Sequence, residues 1–307
     1  MLRRDHWRRL HDRLDPETDF REIAANLSAY EFPWDTLQAL SFALFRTYAV
    51  PSVGVLLHDT GQFTERVQKR YDDTGLLLEE VLEHGLEDPQ GRGRAAVRRI
   101  NQMHARYDIS NDDMRYVLAT FVVMPKRWHE QWSYRPLSDV ELRASVNYYL
   151  DLGRHMGIKD LPSDYDGFDR LLDDYEAEHF AYDPRAREVA EATLGLFLTF
   201  RPNRYLPRWL MRRFSYALMD EPLRKAFRYP TPTALETRVF HGLMRLRSRV
   251  IALLPARSKP KWTRDMSNYR CYPNGYEVTA LGTFAETPVV GCPFHPPTTV
   301  TEERVAG

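Results

Sequence analysis

The sequence predicts an all-α protein: one domain of about eight to eleven helices over residues 1–258, then an irregular tail over residues 259–307 packed on or near it. Three observations carry that expectation. Apolar residues recur at three- and four-residue spacing behind recognisable N-caps. Strand signals shrink to residues 276–279, too short and isolated for a sheet. The 20 prolines gather between the periodic segments and in the tail.

Pro33 and Asp35 fit the first turn of a helix running to residue 50. Pro51 interrupts the apolar stretch 37–57, which therefore reads as a broken pair of buried helices. Over 74–86, Leu76, Leu77, Val81 and Leu82 alternate with acidic residues at helical spacing. A helix over 92–107 follows. Ser110 resembles the start of a capping box ahead of 114–128, with Asp113 in place of the usual Glu. Ser138 and Glu141 complete a full box for a helix that stops at Gly157. Asp183-Pro184 opens a helix to residue 200, and Thr233 with Glu236 opens a long one that ends before Pro255.

The 307 residues carry 43 Lys and Arg against 43 Asp and Glu, a net charge of zero. Such a balance lacks the basic footprint of a nucleic-acid binder. Cys271 and Cys292 are too few for a disulfide framework or a cysteine-rich zinc site, and they fit a reducing compartment. Charges run through the first 15 residues, so no secretory signal is read there. Arg46 and Pro51 break the most apolar stretch, which excludes a simple spanning helix and leaves peripheral membrane contact open. A cytoplasmic protein is expected; its oligomeric state is not legible.

No Gly-rich phosphate loop and no Gly-x-Ser-x-Gly elbow occurs. Of the two Glu-x-x-His pairs a helical di-iron centre needs, only Glu176 and His179 exist, in an acidic stretch read as solvated. His104 shares a helix face with Val97, Ile100 and Tyr107, so its imidazole points inward. It is either a core histidine bonded to a carbonyl or a neutral ligand for a metal or haem iron, with Arg98, Arg99 and Arg106 flanking it for propionates. Arg70 and Thr74 share a face one turn apart; read alone, they are a surface arginine and an N-cap threonine. His129 and His84 read as partly exposed residues near helix ends. Cys292, before a proline, reads as a free and incidental thiol.

Taken together, DTGLLL, RRINQMHARYDISNDDMRYVLATFVVMPKRW and RPLSDVELRASVNYYLDLGRHMGI resemble the MpaB oxygenase family, which groups with the rubber oxygenases. The resemblance extends more diffusely to VPSVGVLLHDTGQF and SNYRCYPNGYEVTALGTF. It implies a globin-like fold around haem b, with O₂-dependent cleavage of a carbon–carbon double bond in an apolar, isoprenoid or lipid substrate. His104 falls on the proximal iron ligand. Arg70 and Thr74 match the distal Arg-x-x-Lys-Thr motif, with Asp73 in place of its lysine, and they would act on bound oxygen. A catalytic glutamate has no counterpart, since neither Asp59 nor Glu65 has the spacing. An apolar tunnel is implied, which 37–57 or 193–200 would line unless both are plain core. The rival readings are a helical lipid-binding or interaction protein without haem, and a haem sensor or peroxidase.

Overall fold

The computed structural model describes residues 2–284 and Cys292. Among these residues there are thirteen α-helices and no strand; a single bridge joins Leu2 to Ala256. Three short helices open the fold: α1 (His6–His11), α2 (Phe20–Asn26), continued by a π-turn over Leu27–Glu31, and α3 (Pro33–Thr47). Next come α4 (Pro51–Asp59), α5 (Val67–His84), α6 (Arg92–His104), α7 (Asn111–Trp132) and α8 (Asp139–His155). The remainder are α9 (Tyr165–His179), α10 (Pro184–Phe197), α11 (Arg208–Leu218), α12 (Glu221–Ala226) and α13 (Ala234–Leu253). The surplus over the expected number lies in short helices such as α1 and α12, whose six residues hold too little periodicity to register.

α7 is the central element and packs against α3, α8, α9 and α13, while α5 lies on α6. The sequence caps hold. Ser138 and Thr233 each form a full capping box, and Ser110 accepts from the Asp113 amide. Pro51 breaks α3 from α4 at a 94° bend, and no single helix among the described residues is long and apolar enough to cross a membrane.

Several expectations are corrected. α5 begins at Val67, so Thr74 lies inside a helix and is no N-cap. Residues 278–280 form a 3-10 turn where a strand was the best candidate, and α10 stops at Phe197. Glu176 is buried, not solvated, because it answers Arg46 on α3; His179 stacks on Tyr175 with ring centroids 4.0 Å apart. His129 is buried as well, against Phe32 and Ser133.

Cys271 is disulfide-bonded to Cys292, so neither thiol is free. The sequence offered no partner logic for two lone cysteines; the tail brings them together by returning along α5. Acidic residues of α5 that periodicity leaves between apolar positions are buried there and hold that tail. Asp72 accepts the Arg270 and Cys271 amides, each at 2.8 Å, Glu79 accepts the Thr263 amide and Arg264, and Glu80 takes the Tyr276 hydroxyl at 2.8 Å. Gly75 admits this packing: a Cβ there would lie 2.0 Å from the Tyr269 hydroxyl.

Candidate functional site

Three adjoining cavities meet between α3, α5, α6 and α7. The inner one has a volume of about 120 Å³. Its wall is apolar, from Leu44, Leu77, Ile100, Met114, Leu118, Phe121 and neighbours, and among the described residues its only polar side chains are Arg70, Thr74 and His104. A second space of about 200 Å³ shares Leu44, Arg70, Met103 and His104 and adds a polar wall with Tyr48, Ser52, Tyr107 and Asp113. A third, of about 130 Å³, shares Leu44, Thr74, Leu78 and Phe121 with the inner cavity and runs along Leu37, Leu40, Tyr148 and Tyr149. Ligand pockets are commonly apolar with a few convergent polar groups, and the inner cavity has that composition.

His104 is the last residue of α6, where the inward face set by Val97 and Ile100 ends. Its Nδ1 is buried and has no hydrogen-bond partner among the described residues. Burial pushes the imidazole down to about 4, and the Arg70 charge adds to that, so the ring is neutral at pH 7. An imidazole bonded to a carbonyl, the ordinary role of a core histidine, is therefore not what the structure has at Nδ1.

Arg70 lies within the first turn of α5, its guanidinium over the Phe63 ring at 5.1 Å. It makes no hydrogen bond or ion pair through its side chain among the described residues, and burial lowers its pKa. Thr74, one turn on, donates its hydroxyl to the Arg70 carbonyl at 2.8 Å. That proton is committed to the helix, leaving the oxygen as an acceptor. Asp73 does not line these cavities. It is buried, paired with Lys69 at 2.6 Å and accepting the Tyr272 hydroxyl, so it serves the tail.

The other arginines go elsewhere. Arg98 is exposed and donates to the Pro89 carbonyl at 2.8 Å. Arg99 is buried but reaches the Leu281 and Thr283 carbonyls of the tail. Arg106 is exposed over the Phe284 ring at 5.5 Å. None of the three lines a cavity described above. Arg99 and Lys69, which donates to the Gly282 carbonyl at 3.1 Å, thereby strap the tail so that Thr283 lines the second space.

Sequence reasoning missed two residues of the long cavity, His129 and Glu79. His129 was hidden by its position near a helix end, and Glu79 by sitting among acidic neighbours. Of the two candidate lining segments, residues 37–44 line the long cavity and residues 193–200 do not.

Away from these spaces, His11, Glu31 and Glu141 are buried with ligand-type atoms within 4.8 Å of one another. His11 Nδ1 meets Glu141 at 2.8 Å. Arg135 already donates to both carboxylates, at 2.6 and 3.0 Å to Glu31 and 2.7 Å to Glu141. A metal ion would have to displace that guanidinium, so we read an ionic lock between α1, the π-turn and α8.

Fold and cavity together define an all-helical protein with a neutral histidine and a half-buried arginine facing one apolar space. Residues 34–249 match the family described as ER-bound oxygenase mpaB/B'/Rubber oxygenase, catalytic domain, and the chain belongs to that family. It is 35% identical over 250 residues to the ER-bound oxygenase mpaB' of Penicillium brevicompactum, an alignment covering 76% of this chain and 58% of that relative. To the ER-bound oxygenase mpaB of the same species it is 33% identical over 231 residues, 69% of this chain and 58% of the relative. To the mpaB of Penicillium roqueforti (strain FM164) it is 34% identical over 226 residues, 68% of this chain and 74% of the relative. The chain thus spans under two thirds of the length of the Penicillium brevicompactum relatives.

Proposed function

We propose that this chain is a haem b-dependent oxygenase acting on a carbon–carbon double bond of an apolar, isoprenoid or lipid-like substrate. One observation carries the reading: the inner cavity is apolar except for His104, Arg70 and Thr74. The residues fit a haem on two counts. His104 has a buried nitrogen without a protein partner and, being neutral, a lone pair for iron. Arg70 is a cation in the same apolar space, placed to meet negative charge that develops there. When bound, haem supplies the O₂ chemistry.

The chain's own residues do the rest. His104 would hold the metal, and Arg70 would stabilise negative charge in a space of low dielectric. Thr74 presents an acceptor oxygen. Leu37, Leu40 and Leu44 align an extended apolar chain toward Phe121 and Thr74, which line both spaces. As to location, the cytoplasmic expectation rested in part on two cysteines that fit a reducing compartment; with Cys271 bonded to Cys292, we favour a compartment that permits disulfides.

The test begins with colour. Protein from haem-supplemented cells should show a Soret band that His104→Ala loses while keeping its helical circular dichroism. Arg70→Ala should retain haem and slow O₂ uptake with polyprenyl or unsaturated lipid substrates. A colourless wild type that refuses haemin overturns the haem reading and leaves the lipid-binding alternative. A red protein that binds O₂ reversibly but makes no product points to a sensor.

A further inference from the structure

The chain is neutral as a whole but not evenly so. Residues 201–261 hold fifteen Lys and Arg against three Asp and Glu, a local excess of +12 that the rest of the sequence balances. Such asymmetry within one chain points to an anionic partner. At the centre of this segment lies α13, twenty residues of which only Phe240 and Met244 are buried. That inner face is well anchored: Phe240 meets Phe214 at 5.3 Å, His241 bonds the Ala217 carbonyl at 2.9 Å, Ser248 donates to the Ser133 carbonyl, and Arg247 pairs with Asp35. α13 is therefore a fixed part of the fold.

Its outer face is apolar. Leu235, Val239, Leu243, Leu246, Val250 and Leu253 are all exposed, from 48% to 86%. At 3.6 residues per turn the six fall within about 80° of the helix circumference, making one continuous stripe over five turns. Arg238, Arg245 and Arg249 run in a row beside it; each is exposed and none has an ion pair among the described residues. α11, which packs against α13, carries Trp209, 67% exposed, and Tyr205 and Leu206 just before it are exposed as well. Monomers do not ordinarily show water an apolar stripe of this length.

We propose that this outer face of α13 docks the protein on an anionic phospholipid surface, the stripe entering the acyl boundary and the three arginines meeting headgroup phosphates. Charge decides among occupants. The spacing of Val239, Leu243, Leu246, Val250 and Leu253 alternates four and three, which a second helix could also fill. A second copy would bring its own Arg238, Arg245 and Arg249 against these, and like charges across a helix seam repel. An anionic bilayer satisfies both the stripe and the row, the pattern of an in-plane amphipathic helix with basic residues beside its apolar face. The docking face also leads inward. Ile251 and Leu254, at the end of α13, line a surface cleft whose wall includes Pro33, and Pro33 lines the long apolar cavity too.

The test is vesicle flotation with the full chain. Wild type should float with phosphatidylcholine–phosphatidylserine vesicles and much less with phosphatidylcholine alone, with a blue shift in tryptophan emission on binding. The pair Leu243→Glu and Leu246→Glu, at exposed positions, should stay folded by circular dichroism and lose flotation. The triple Arg238→Gln, Arg245→Gln and Arg249→Gln should lose the preference for anionic vesicles, about fivefold in partition per arginine. Failure of wild type to float with either vesicle overturns the proposal, as does flotation untouched by the leucine pair. So does a concentration-dependent dimer in sedimentation equilibrium that the leucine pair abolishes, for it would assign the face to a second copy. None of these readouts depends on haem or turnover.

Discussion

At the scale of single residues, His129 shows how burial sets a pH response. It is 3% exposed in the wall of the long cavity, with Nδ1 2.8 Å from the Ser133 hydroxyl, and burial pushes its pKa from 6.5 down to about 4. Arg135 works in the same direction and Asp35 and Glu141 against it. The folded protein therefore keeps the ring neutral while the unfolded chain protonates it below about 6.5. Between those values the unfolded state binds more protons, so the stability this site contributes is full above 6.5 and lost as pH falls toward 4. The size is about 3 kcal/mol. Urea melts should show falling stability across that window, and His129→Gln should remove that part of the slope. A variant whose pH slope matched wild type would mean the ring is already charged in the fold.

At the scale of elements, α3, α9 and the start of α12 are joined by one cation. Arg46, 3% exposed, donates to both Glu176 oxygens and to Asp220, and Tyr116 of α7 adds a hydroxyl to Glu176 at 3.2 Å. Burial raises the Glu176 pKa even with Arg46 opposing it. Arg46→Met would leave that carboxylate buried and unpaired, at a cost of about 3–5 kcal/mol, and the double change with Glu176→Leu should recover most of it. Chemical melts of the single and double variants check the pair; equal losses would mean that packing, not charge, joins these helices. Nothing in the sequence announces this tie, because residues 46, 176 and 220 are brought together only by tertiary packing. What the sequence does carry is local. Ser138 with Glu141, Thr233 with Glu236 and Pro51 mark their helix boundaries because capping and proline chemistry act within four residues. His104, Arg70 and Thr74 were legible as helix-face positions, and their meeting in one cavity needed the packing of α5 on α6. The acidic residues of α5 misled for the opposite reason: alternation with leucine looks like a solvated face until a tail arrives to cover it.

At the scale of the whole molecule, that tail is the last layer of the fold and the roof of the His104 region. Residues 263–283 return along α5, held by Asp72, Glu79, Glu80 and Arg99, and end with Thr283 in the cavity wall. The Cys271–Cys292 bond ties this docked strap to a residue 21 positions further along the chain. In the chain-entropy account such a closure is worth about 3 kcal/mol, because it removes open conformations that the unfolded chain would otherwise visit. Cys271→Ser with Cys292→Ser, or reduction of the wild type, should therefore lower the melting temperature by several degrees. The α5 contacts do not depend on the bond, so the reduced protein should remain helical, with faster hydrogen exchange concentrated in residues 263–283. If exchange there stayed at the oxidised rate, the buried carboxylates alone would hold the strap. If it accelerated together with loss of bound haem, the disulfide would be part of what keeps the histidine cavity closed.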